Sequence, residues 1–109
     1  MAYDEGLAQR VREELGGLPG YVEKKMFGGI GFMLHGNMAC GVNGENLIVR
    51  VGPEGYERAL AEPHTKQFDM TGRPMKGWVV VSGEGCEAEG DLQAWVQKGV
   101  EFALSLPAK

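Results

Sequence analysis

The sequence predicts a two-layer α+β domain: an antiparallel sheet of about five strands with helices packed on it, in the order α-β-β-β-α-β-β-α. Three observations predict it. Apolar residues recur at helical spacing at both ends of the chain. Between them, short segments alternate apolar and polar residues and are separated by Gly, Asn and Pro turn signals. The resulting order of helices and strands suggests helices packed on an antiparallel sheet.

The first element is a helix. Leu7, Val11 and Leu15 fall at i, i+4 and i+8, with Ala8 beside them. Asp4 is the expected N-cap, Gly16-Gly17 the stop, and Leu18-Pro19-Gly20 a turn. Residues 22–51 read as a meander with one face toward a core. Ile30, Phe32 and Leu34 alternate with Gly31 and Met33; His35-Gly36-Asn37 signals a turn; Met38, Cys40 and Val42 alternate with Ala39 and Gly41. Asn43-Gly44 is the strongest hairpin signal, of the kind suited to a type I′ turn. Leu47, Val49 and Val51 form the next strand, with Ile48 and Arg50 facing the other way. A further strand over Val22–Phe27 is an optional addition.

Gly52-Pro53 is expected to open a short helix that buries Tyr56, Ala59 and Leu60 and ends at Pro63. Residues 64–77 are turn-rich, with a short strand at Gln67–Asp69. Gly77–Val81 reads as a buried strand and Ser82–Gly85 as a loop. The last helix runs from about Ala88 to Leu106, with Leu92, Trp95, Val96, Gly99, Ala103 and Leu106 on one stripe and Pro107 closing it. Gly99 is expected where another backbone approaches closely.

A chain of 109 residues suits one domain, 1–109, with a core that needs no metal or disulfide. Net charge is −4, and the acids gather at the ends: residues 1–21 carry two bases against four acids, residues 82–109 two against five, and the middle seven against six. This is not the electrostatic footprint of a strong nucleic-acid binder. Cys40 and Cys86 lie far apart with no CxxC spacing, the N-terminus lacks a signal-peptide pattern, and no stretch approaches a membrane span, so a reduced cytoplasmic location without membrane association is expected.

Lys25-Met26-Phe27-Gly28-Gly29-Ile30-Gly31-Phe32, then Gly36-Asn37-Met38, then Leu47-Ile48-Val49-Arg50-Val51 resemble the N-terminal domain of the TfoX/Sxy family. Phe68, Met75-Lys76-Gly77-Trp78-Val79 and the closing helix extend the resemblance over nearly the whole chain. The resemblance implies a fold similar to the YjbR-like and secretion-chaperone-like α+β folds. It also implies the setting of bacterial natural-competence regulators, which act with the cyclic-AMP receptor protein and carry a second, C-terminal domain. A stand-alone N-terminal domain is therefore expected here. The family supplies no catalytic residues to carry over.

The residues themselves offer few chemical sites. Gly28-Gly29-Ile30-Gly31 matches neither GxGxxG nor the P-loop pattern and leads into a strand, so a glycine bend of the sheet is favoured over a phosphate cradle. His35, His64, Cys40 and Cys86 follow no zinc-ligand spacing. Cys40 as a nucleophile lacks a base, since His35 belongs at a hairpin tip. No catalytic, cofactor-binding or metal residues are assigned. Lys25, Arg50, Arg73 and Lys76 are the candidate partner or nucleic-acid surface. The favoured reading is a non-enzymatic regulatory or interaction domain. It would contact a protein partner, such as a transcription-regulation component or a second copy, through its sheet or the 64–77 loop. A nucleic-acid-binding module and a small ligand-binding or hydrolytic domain are the alternatives.

Overall fold

The computed structural model describes residues 3–26, 29–69 and 74–108. The chain forms α1 (Glu5–Leu15), β1 (Tyr21–Met26), β2 (Gly29–Leu34), β3 (Asn37–Asn43), β4 (Asn46–Arg50), α2 (Tyr56–Leu60), β5 (Thr65–Asp69), β6 (Pro74–Val81), a 3₁₀ turn (Gly83–Cys86) and α3 (Glu89–Ser105). This is the expected α+β order, with the optional strand present as β1; Phe27, placed at its end, lies outside the described residues. The strands form one antiparallel sheet in the order β1-β2-β3-β4-β6-β5.

The two faces of the sheet differ. Ile30, Phe32, Leu34, Val42, Leu47, Val49, Val79 and Val81 bury one face against Leu7, Val11 and Leu15 of α1, Tyr56 and Ala59 of α2, and Leu92, Trp95, Val96, Val100 and Ala103 of α3. The helices thus share one layer. On the opposite face Ile48, Phe68 and Val80 form a smaller cluster with Trp78 packed against it. This explains why β6 is apolar at consecutive positions: both of its faces are covered.

α1 begins where Asp4 caps it, its Oδ1 accepting from the Leu7 amide at 3.1 Å. Arg12 of α1 forks onto Glu23 of β1 through Nε at 2.6 Å and Nη2 at 2.9 Å. The Tyr21 hydroxyl donates to the same carboxylate, and its ring stacks with Phe32 at 6.4 Å between centroids. This network ties an edge strand to the helix layer.

Four features differ from the sequence expectation. Met38 does not share a face with Cys40. Phe32 pairs with Cys40 and Met33 with Met38, so Ala39 is an extra residue, a bulge that moves Met38 to the other side. The Asn43–Asn46 hairpin turns on Gly44-Glu45, not on Asn43-Gly44. Only Gly44 has positive φ, at 58°, so the turn is not type I′. Gly44 is held from outside, because its carbonyl accepts from the Asp4 amide at 2.7 Å. The type I′ signature belongs instead to His35 (φ 52°) and Gly36 (φ 84°), between β2 and β3. Finally, α2 starts at Tyr56, three residues beyond Pro53, and Ser82–Gly85 ends in a 3₁₀ turn.

Gly99 behaves as expected. A Cβ there would lie 2.3 Å from the carbonyl oxygen of Ala39, so α3 rests directly on the backbone of the bulge. Asn37, only 2% exposed, fastens the far end of α3 by donating from Nδ2 to the Pro107 carbonyl at 2.9 Å.

Candidate functional site

Of the four residues proposed as a surface, the three that are described, Lys25, Arg50 and Lys76, do not form one patch. Lys25 lies on β1, the edge strand, and pairs with Ile30, whose side chain faces the helix layer. Arg50 ends β4 and pairs with Trp78, on the other face. Three strand spacings separate β1 from β4, about 14 Å at the usual interstrand distance. Lys76 is exposed on β6, two residues from Trp78, and therefore joins Arg50 at the same end of the sheet. Arg73 lies outside the described residues.

Arg50 is the residue around which a site is built. Its guanidinium carbon sits 5.1 Å from the Trp78 ring centroid and 5.3 Å from that of Phe102. The cation thus lies within cation–π distance of a strand aromatic and a helix aromatic, contacts worth up to about 2 kcal/mol per ring when water is excluded. Burial pulls the Arg50 pKa below its usual value, and no acid is placed to oppose that shift. Among the described residues Arg50 makes no ion pair, whereas Arg10 pairs with Glu89 at 3.2 Å and Arg12 with Glu23 at 2.6 Å.

Local backbone geometry brings the two rings to Arg50. Both the Val51 and Gly52 amides donate to the Gly77 carbonyl, at 2.8 and 3.0 Å, with Gly52 at φ 83° and Gly77 at φ 96°. These are left-handed conformations that suit glycine. A Cβ on Gly52 would lie 2.5 Å from the Phe102 ring, so the ring packs flat on bare backbone. Phe102 and Gly52 also line a cleft of about 530 Å³ between α2 and α3, together with Val51, Pro53, Ala59 and charged residues of both signs. Met75, 36% exposed, adds apolar surface on β6.

Sequence reasoning singled out Arg50 by its charge but missed Trp78 and Phe102 as its clamp. Phe102 follows Trp95 by seven residues and Gly99 by three, so it sits at the edge of the buried stripe of α3, and that spacing is the sequence signal that could have marked it.

The remaining candidates lack the setting for chemistry. Burial pushes the Cys40 thiol up to about 12 and the Cys86 thiol up to about 11, where the reactive thiolate is scarce at neutral pH. His35 is exposed at its hairpin tip, away from the buried Cys40. His64 Nδ1 lies 3.9 Å from Glu84 at the surface. Among the described residues no three His, Cys, Asp or Glu side chains gather to hold a metal ion. No helix among them is long and apolar enough to cross a membrane. The glycine run acts in the sheet: Gly31 faces Gly41, and a Cβ on Gly29 would lie 2.0 Å from the Val42 carbonyl; Gly28 lies outside the described residues.

No curated protein and no solved structure matches the chain. The model of the TfoX N-terminal domain matches residues 13–103, which is most of the chain, and the protein belongs to that family.

Proposed function

We propose that this domain is a non-enzymatic interaction module of a regulatory system, and that it meets its protein partner at the Arg50–Trp78–Phe102 cluster. The observation that carries the reading is the clamped arginine itself. Trp and Arg dominate the residues that carry binding energy at protein interfaces, and such anchors sit beside pockets. Here they stand half-exposed at one end of the sheet, with Lys76, Met75 and the cleft beside Phe102 around them. Family membership supports a regulatory setting of the TfoX/Sxy kind in a bacterial cytoplasm. The nucleic-acid alternative draws less support, because Lys25 and Arg50 belong to different faces of the sheet and the chain is net acidic.

Site-specific photo-crosslinking in the host tests this. A crosslinking residue at exposed Pro53, beside the cluster, is expected to give a discrete protein adduct that Arg50→Gln removes. The same residue at exposed Glu13 on α1 is expected to give none. Adducts of equal yield from both positions, or none from Pro53, would sink the proposal.

A further inference from the structure

We infer that the partner presents a carboxylate to Arg50, so that the cluster is a receptor for an acidic residue flanked by apolar ones on a peptide segment. This rests on the reading of the cluster as an interaction surface and names the chemistry of what it receives. Arg50 is half-buried, its guanidinium lies within cation–π distance of both Trp78 and Phe102, and it carries five N–H donors suited to a bidentate acceptor. Such a cation is ordinarily matched by a counter-charge when water is withdrawn. The chain has 15 acidic side chains, all of them within the described residues, and none forms an ion pair with Arg50. The fold therefore withholds the partner that it supplies to Arg10 and Arg12.

Contact with two rings restrains the guanidinium in advance, so less side-chain order is lost when a carboxylate docks. Lys76 on the neighbouring strand adds positive potential. Val51, Met75 and the exposed edges of both rings offer apolar contact to the residues beside the acid. A polyanion is a poorer match than a single acidic side chain, because the chain is net −4.

A displayed library of random linear peptides, selected against the full chain, tests the inference. Enriched peptides are expected to carry Asp or Glu next to an apolar residue. Exchanging that acid for its amide is expected to weaken binding about tenfold or more, the scale of one lost charge-assisted bidentate contact. Arg50→Gln should weaken it equally, Arg50→Lys nearly so because the fork is lost, and Lys25→Gln not at all. The amide exchange in the peptide and the loss in Arg50→Gln should not add. Enriched peptides without acids, or acidic peptides that bind Arg50→Gln undiminished, would overturn the carboxylate while leaving the interaction reading standing if Trp78→Ala still abolishes binding. Binding of a single-stranded oligonucleotide through Arg50 in preference to any peptide would likewise overturn it. A library yielding nothing that depends on Arg50 or Trp78 would remove both. The amide exchange keeps the test decisive even where a variant of the domain fails to fold.

Discussion

Gly90 and Gly99 lie in the same helix, α3, and offer a matched pair of substitutions. Alanine at Gly90 meets nothing within 4 Å. Its effect is helix propensity alone, at most about 1 kcal/mol and less near the helix start, so about 0.5 kcal/mol of stabilisation is expected. Alanine at Gly99 would gain a similar propensity term but would place its Cβ 2.3 Å from the Ala39 carbonyl oxygen, where a real Cβ contact is essentially never below 3.0 Å. The oxygen belongs to backbone held in the β3 bulge and cannot rotate away. Relief requires α3 to lift by close to an ångström from a core in which Val96, Val100 and Ala103 are already seated. Overpacking of that kind costs about 1–3 kcal/mol, which outweighs the propensity gain.

Urea titrations monitored by circular dichroism should therefore show Gly90→Ala at a higher midpoint than the parent and Gly99→Ala at a lower one. Their separation should be about 2 kcal/mol, or roughly 8 °C in melting temperature for a domain of this size. If both alanines raise stability alike, α3 does not rest on the bulge and the packing described above is wrong.

Other outcomes follow from single groups. The Tyr56 hydroxyl is buried without a hydrogen-bond partner, so Tyr56→Phe should leave stability unchanged or raise it by up to about 1 kcal/mol; a loss above that in chemical denaturation would mean the hydroxyl is bonded. Hydrogen bonds from Arg12 and Tyr21 hold the Glu23 carboxyl below its usual pKa, so its contribution is present above the unfolded value, about pH 4.3, and is lost as pH falls through the lower folded one. Glu23→Gln should accordingly be less stable than the parent at pH 7, with the gap closing toward pH 3; a gap that widens in acid would refute the network. Cys40 and Cys86 should resist a thiol reagent at pH 8 in the native state and react at once in denaturant, and native reaction at the rate of a free thiol would contradict their burial. Gly52→Ala combines a left-handed φ of 83° with a Cβ 2.5 Å from the Phe102 ring, and should destabilise by about 1–3 kcal/mol. It should also shift tryptophan emission as the stack around Arg50 opens; unchanged emission would argue that the ring is not seated there.

Much of the fold was legible because it is written in local periodicity. Asp4 before an i, i+4, i+8 apolar row specifies α1, and the stripe through Leu92, Val96 and Ala103 specifies the buried side of α3. Even the close approach at Gly99 could be anticipated, since a glycine on a buried helical stripe costs stability unless something occupies the space. The bulge at Ala39 could not. One inserted residue reverses the inward–outward alternation, and Met38 reads the same in either phase. Gly44 was misread for a related reason: Asn-Gly is a strong local signal, but a hydrogen bond from Asp4 at the start of the chain decides which residues turn. The site was the least legible part. Grouping Lys25 with Arg50 by charge ignored the sheet order, which only strand pairing reveals.

The position of the arginine clamp has a structural logic that charge alone does not supply. β4 ends at Arg50, and the ladder to β6 closes with two amides sharing the Gly77 carbonyl. That irregularity demands positive φ at Gly52 and Gly77, and the absence of side chains at Gly52 opens the space that Phe102 fills. The ring then lies close to the guanidinium of the last strand residue, and Trp78, paired with Arg50 across the ladder, lies equally close to it. Glycines of the irregular ladder end thus set the geometry of the clamp, and the clamp sits where regular sheet pairing stops. A surface site built on such a junction rests on the rigid ends of β4, β6 and α3 together, so its arginine is ordered before any partner arrives. Replacing Arg50 should consequently alter binding more than stability, whereas replacing Gly52 should alter both.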